Sequence, residues 1–264
     1  LMPGLVEGHC HLMAGGLWQF PFVGFHARTA PDGKVWAGCR NFDEVVARLI
    51  ELEAQIGDPA KPLLAWGFDP IFFGSERMTV RHLDRVSTAR PIVILHASQH
   101  LMNVNSAALE KAGITRDTEV QGVARFDSGE PTGELQEFAA MFPIARLTGN
   151  IFRVAGTTER SLRLFGQIAQ LAGVTTATDL VNDLSDENAQ VLQKVTAEAD
   201  FPVRLVPAYI GLDGTMSRDA GAARVTSRAA ADTDKLPFGL VKIVTDGSIQ
   251  GFTARVRWPG YYNG

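Results

Sequence analysis

Three strand-like runs, GVTTATDL (173–180), FPVRLVPAYI (201–210) and GLVKIVTDG (239–247), follow one another with amphipathic helical segments between them. A strand, a crossover helix and another strand is the repeat of a parallel sheet, and a (β/α)8 barrel of about 250 residues allots roughly 30 to each unit, close to the interval here. The intervening helices carry their own punctuation. TTERSLRLFGQIAQLAG runs into Gly173, and SDENAQVLQKVTAEAD starts at Ser185 with Val191, Val195 and Ala199 on one stripe.

A further strand opens the chain. The segment LMPGLVEGHCHLM is apolar and ends in two histidines separated by one residue. Side chains alternate across a strand, so His9 and His11 share a face while Cys10 takes the other. At ~3.3 Å per residue the two imidazoles lie about 7 Å apart along the strand, near enough to converge on one metal ion. The competing reading is a strand that ends in solvent, because a three-residue pattern is short.

From this first strand to GVTTATDL the interval is about five times the ordinary barrel unit. The spacing therefore predicts residues 1–14 as the first barrel strand, 15–155 as an inserted subdomain, and 156–264 as the second to fourth βα units. The insertion is expected to hold strands PLLAWGF (62–68) and PIVILHA (91–97), paired with each other outside the barrel. It also holds a hairpin, VARFDSGEPTGEL, with turns at Ser128-Gly129 and Thr132-Gly133. In NFDEVVARLIELEAQIG, Asn41 is placed to cap a helix with Glu44 three residues on, and Gly57 to end it. The fold class is α/β: a partial (β/α)8 barrel with a large insertion between its first and second strands. Four strands are half a closed barrel and leave two unpaired edges, so the remaining strands are expected outside this chain.

Composition narrows the partners. At 264 residues and 45% apolar content the chain can bury a sizeable core. Its net charge of -4 and scattered Lys and Arg argue against nucleic acid and acidic membrane surfaces. The two cysteines, Cys10 and Cys39, provide no disulfide framework, which makes a reducing cytoplasm the default expectation. No apolar run approaches the length of a membrane span.

Lys242 lies within the almost wholly apolar LVKIVTDG, at the strand end where barrels of this kind carry their active sites. A buried ammonium is costly there, and reaction with carbon dioxide would convert it to an anionic carbamate able to bridge metal ions. The plainer reading is a lysine that snorkels to the sheet edge.

Taken in order, MPGLVEGHCHL, WGFD, PIVILHASQHLMNVNSAALEKAGI, PTGELQE, GVTTATDL and VKIVTDGSIQGFTAR resemble the amidohydrolase superfamily, and within it the family 3 branch that includes N-substituted formamide deformylases. The resemblance spans essentially the whole chain. It implies a metal-dependent hydrolase in which His9 and His11 are first-strand ligands and Lys242 is the carboxylated lysine of the fourth strand. Zinc is the metal it most readily suggests, one ion or two. Members usually have Asp where this sequence has Glu7, two residues before His9 and on the same face. The family's two further histidine ligands and its catalytic aspartate are expected beyond Gly264.

His100, at what reads as a strand-to-helix turn where Asn105 or Ser106 can cap the next helix, matches a family motif. The resemblance gives it a substrate-facing catalytic role, donating a hydrogen bond to the scissile carbonyl or its oxyanion, against the alternative of tying down the turn. His96 reads as a strand residue with a satisfied ring and His82 as a solvated helix residue. Trp66 and Asp69 of WGFD, and Asp246 after Lys242, are candidates for substrate contact, although an aromatic on a strand is commonly core and Asp-Gly favours turns by itself. The leading expectation is a cytoplasmic metal-dependent amidohydrolase that cleaves a small-molecule amide or formamide C–N bond, with homo-oligomerisation left open. A deaminase or an ester hydrolase on the same scaffold, or a non-catalytic half-barrel that binds a partner, are the alternatives.

Overall fold

A computed structural model of the chain describes residues 2–211, 216–244, 254–257 and 260. The elements run β1 (Leu5–Cys10), α1 (Ala14–Leu17), β2 (Arg28–Thr29), β3 (Val35–Trp36), α2 (Phe42–Glu53), β4 (Leu63–Phe68), α3 (Val80–Leu83), β5 (Ile92–His96) and β6 (Leu101–Val104). They continue with α4 (Ser106–Ala112), β7 (Val123–Arg125), β8 (Pro131–Gln136), α5 (Glu137–Leu147), α6 (Ile151–Gly156) and α7 (Glu159–Leu171). The last are β9 (Val174–Asn182), α8 (Asp186–Thr196), β10 (Arg204–Ile210), α9 (Arg218–Ala229) and β11 (Leu240–Lys242). They form two compact units. One is built chiefly from the chain up to Gln19 and from Phe152 to the end of β11, the other from Phe20–Thr29 and Gly33–Ile151.

In the first unit, β1, β9, β10 and β11 lie side by side in that order, all parallel, as a curled half-barrel sheet. The four strands are those the spacing predicts, and their order in space is their order in sequence. The outer face packs on the helices: Leu162, Phe165 and Ala169 of α7, Leu192 and Val195 of α8 and Val225 of α9 share one core with Ala177, Leu205 and Tyr209 of the sheet. Thr158, Ser185 and Ser217 accept hydrogen bonds from backbone N–H groups in the first turns of α7, α8 and α9.

Helix α1, which follows the histidine pair directly, lies against α7. A Cβ at Gly15 would sit 2.1 Å from the Ser161 carbonyl oxygen, so this contact is backbone on backbone and admits only glycine.

The apolar run around Lys242 proves to be an edge. Strand β11 has β10 as its bonded neighbour, and Val241 is 53% exposed. Val6, on the opposite edge strand β1, is 71% exposed. Among the described residues Lys242 is half-buried and its strand neighbours Val241 and Ile243 are exposed.

The second unit is a five-stranded sheet in the order β4, β5, β6, β8, β7, parallel between β4 and β5 and antiparallel elsewhere. PLLAWGF and PIVILHA therefore pair with each other, in a sheet that contains neither β1 nor β9. Helix α2 covers this sheet with Val45 and Leu49 against Leu63, Ala65, Ile92 and Ile94. Asn41 caps α2 as expected, but the helix ends at Glu53, before Gly57. In the β7–β8 hairpin the turn is at Ser128-Gly129, with Gly129 at φ +86°. Gly133, by contrast, lies inside β8 at φ +92°, where a Cβ would come within 2.3 Å of the Val104 carbonyl oxygen. Close strand approach, not a turn, demands glycine there.

His96 is fully buried beneath this sheet. Its Nε2 lies 2.6 Å from Asn103 Oδ1, while Asn103 Nδ2 donates to the Met78 carbonyl at 2.9 Å. The amide oxygen must therefore accept, which puts the His96 proton on Nε2 and leaves Nδ1 without a partner. The ring is half satisfied, not fully. Burial, outweighing the Asn103 hydrogen bond and the Glu134 charge, lowers its pKa to about 4. Because the folded value is depressed, the associated stability is present above the ordinary imidazole value of about 6.5 and is lost as pH falls through 4. Urea unfolding of the wild type should show an extra acid loss of about 3 kcal/mol between pH 6.5 and 4 relative to His96→Gln, which can still donate to Asn103. Parallel curves for the two proteins would contradict this assignment.

Candidate functional site

At the carboxyl end of β1 the two imidazoles converge. The ring centroids of His9 and His11 are 5.4 Å apart, edge to face. Cys10 points the other way, into the core under the helices, where its Sγ donates to the Thr178 carbonyl oxygen at 3.2 Å. Burial, aided by the charges of Asp179 and Glu7, pushes this thiol up to about 12. A cysteine held as a thiol is a poor metal ligand, so the alternation along the strand separates ligand-type side chains from a packing one.

Glu7 has a visible role: its Oε1 accepts the backbone N–H of His9 at 2.9 Å and braces the strand just before the first imidazole. Partial burial, then His11 and then the Lys242 ammonium hold the His9 imidazole below its ordinary value, against an upward pull from Glu7. The neutral imidazole so favoured is the metal-binding form.

Asp179 completes this end of the sheet, and sequence reasoning passed over it. The carboxylate is buried at the end of β9, in register with Cys10 of β1. The Val181 backbone N–H donates to its Oδ1 at 3.2 Å and Asn182 Nδ2 to its Oδ2 at 3.0 Å, which fixes Oδ1 at 3.8 Å from His11 Nδ1. That nitrogen is shielded from solvent and makes no hydrogen bond. A carboxylate that accepts a hydrogen bond from one ring nitrogen of a histidine leaves the other nitrogen to a metal; here the two atoms are adjacent at 3.8 Å, outside hydrogen-bond distance. The available signal was an acid at the end of a parallel strand one position over from the histidine strand. The side chains of His9, His11 and Asp179 carry donor atoms suited to a divalent cation, although among the described residues no three His, Cys, Asp or Glu side chains cluster tightly enough to hold one by themselves.

In the second unit, His100 does not lie at a strand-to-helix turn. It closes the tight connection between antiparallel strands β5 and β6, and α4 begins after β6, capped by Asn105. Its Nδ1 is 2.9 Å from Glu137 Oε2. Glu137, within the quoted PTGELQE, is the second residue that sequence reasoning did not single out.

Trp66 lies on β4 with its ring edge-to-face with Phe22 at 5.2 Å. Asp69 is buried, and its Oδ1 accepts the Ile71 N–H at 3.2 Å at the start of a 3-10 turn, Pro70–Phe72. His82 is not simply solvated: its Nδ1 accepts the Thr79 N–H at 3.0 Å and so caps its own helix. Asp246 lies outside the described residues. Among the described residues no helix is long and apolar enough to cross a membrane.

Comparison with known proteins decides the family. The model of the amidohydrolase family matches residues 1–259. The chain belongs to the amidohydrolase family. An amidohydrolase-family chain with this parallel sheet is similar to the LONG AFTER FAR-RED 3 protein of Arabidopsis thaliana, 31% identical over 185 residues, which are 68% of this chain and 29% of that protein. It is also similar to the exoenzymes regulatory protein AepA of Pectobacterium carotovorum, 24% identical over 274 residues, covering all of this chain and 55% of AepA. A crystal structure from Pyrococcus horikoshii OT3, described as an uncharacterized metal-dependent hydrolase, shares the fold with a TM-score of 0.51 at 15% identity, over 95% of this chain and 44% of that one. The amidohydrolase chain thus spans between about a third and just over half of these proteins' lengths.

Proposed function

We propose that this amidohydrolase-family protein is a cytoplasmic, zinc-dependent hydrolase that cleaves the C–N bond of a small-molecule amide or formamide, without nucleic-acid or membrane partners. The observation that carries the proposal is the convergence of His9 and His11 beside a buried, braced Asp179 toward the carboxyl end of a parallel sheet. His9 and His11 would hold the metal. When bound, zinc lowers the pKa of its water to about 7 and polarises a carbonyl. Asp179 would place its carboxylate charge beside His11 Nδ1, Glu7 fixes the His9 backbone, and Cys10 stays protonated in the core. Lys242 would react with carbon dioxide through its amine, losing one proton, and the resulting carbamate would add an anionic oxygen ligand. Residues 15–155 are proposed as an inserted subdomain. Trp66, Asp69 and Asp246 are proposed to contact substrate.

The test is hydrolysis of a panel of N-formyl and N-acyl amines by the intact protein. Release of amine that stops on chelation and returns with zinc is the expected result. Turnover of esters with no turnover of any amide would overturn the C–N assignment.

A further inference from the structure

The connection that carries His100 is built at a cost. Gln99, just before it, has φ +63°, and Glu137, which faces it from the start of α5, has φ +62°. Left-handed backbone at a non-glycine residue is uncommon, costs of order 1–3 kcal/mol where the surroundings force it, and collects at functional positions. Two of the four such residues among those described, Gln99 and Glu137, flank one pair of side chains, the others being Asn150 and Leu184. The β6–β8 register sets Leu101 opposite Gln136, and one residue further the Glu137 N–H donates to the His100 carbonyl at 2.7 Å. The His100 N–H in turn donates to Ser98 Oγ at 3.3 Å. Backbone on both sides is therefore fixed where Nδ1 and Oε2 lie 2.9 Å apart.

The chemistry of the pair then decides where the imidazole proton sits. A carboxylate only accepts hydrogen bonds. Its other oxygen, Oε1, is shielded from solvent and makes no hydrogen bond, so the side-chain hydrogen bond that anchors this carboxylate is the one to His100. The neutral ring must carry its proton on Nδ1. Its Nε2 is left with a lone pair, in a side chain about one-third exposed and beside the Phe138 ring at 5.9 Å. A neutral His100 of this tautomer cannot donate to a carbonyl oxygen through Nε2. It accepts.

We propose that Glu137 is a positioning residue that fixes His100 in the Nδ1–H tautomer, so that Nε2, in a side chain about one-third exposed, is a hydrogen-bond acceptor for an N–H or O–H donor. The tautomer stands on geometry alone.

The experiment is two-bond proton–nitrogen correlation NMR of the histidine rings in the intact protein at about pH 8.5, where an ordinary imidazole is neutral, with His100 assigned by its loss in His100→Gln. The expected wild-type pattern is a protonated Nδ1 and an unprotonated Nε2. In Glu137→Gln, an isosteric change whose amide can donate to Nδ1, the proton should move wholly or partly to Nε2. A wild-type His100 with its proton on Nε2 overturns the proposal whatever the variants do. So does an identical tautomer in a folded Glu137→Gln protein.

Discussion

Replacing His11 with alanine is expected to weaken zinc binding by the intact protein more than a hundredfold, beyond the roughly 10- to 100-fold typical of losing a residue that only orients a ligand. The contrast with its neighbours makes the prediction specific. Asp179→Asn keeps the shape and the Asn182 contact region but removes the charge 3.8 Å from Nδ1, so it should fall in that 10- to 100-fold range. Cys10→Ser changes a side chain that points into the helix layer and bonds Thr178, and should leave metal affinity nearly unchanged. Competition titration against a chromophoric chelator measures all three. Equal losses would mean that the strand alternation does not separate ligand from core.

Lys242→Met should lower hydrolysis by about two to three orders of magnitude, the scale of removing a charged group that acts at the reacting centre. Methionine keeps the apolar bulk of the lysine stem, so stability should change little. Intact-protein mass spectrometry under gentle conditions should find about 44 Da on the wild type, the mass of carbon dioxide, absent from the variant. A short carboxylic acid can supply the missing anion and restore part of the rate, whereas bicarbonate has no amine to modify. Full activity in Lys242→Met, or an unmodified lysine in active enzyme, would remove it from the site.

Why some of this was legible in the sequence and some not has physical causes. The parallel sheet was readable because a crossover helix forces a minimum spacing, and the runs at 173, 201 and 239 met it. His9 and His11 were readable because strand parity needs no tertiary information. The surroundings of Lys242 were less legible, because an apolar run signals a strand, but whether both sides are covered depends on how many neighbours bond to it. Strand β6 is only Leu101–Val104 and runs straight into the Asn105 cap, so LMNV looked like part of a turn and His100 was assigned the wrong connection. Asp179 and Glu137 were overlooked because an acid at a strand end or in a helix first turn is commonplace. What makes each one matter is a register with a distant strand, 168 residues apart for the Cys10–Thr178 contact beside Asp179 and 37 for His100–Glu137.

The most direct test of the central claim is an anomalous diffraction map of crystals of the zinc-loaded intact protein, collected on both sides of the zinc absorption edge. The expected result is a zinc peak at the carboxyl end of β1 with ring nitrogens of both His9 and His11 at about 2.0–2.1 Å. Zinc bound elsewhere, with both imidazoles unligated, would contradict it.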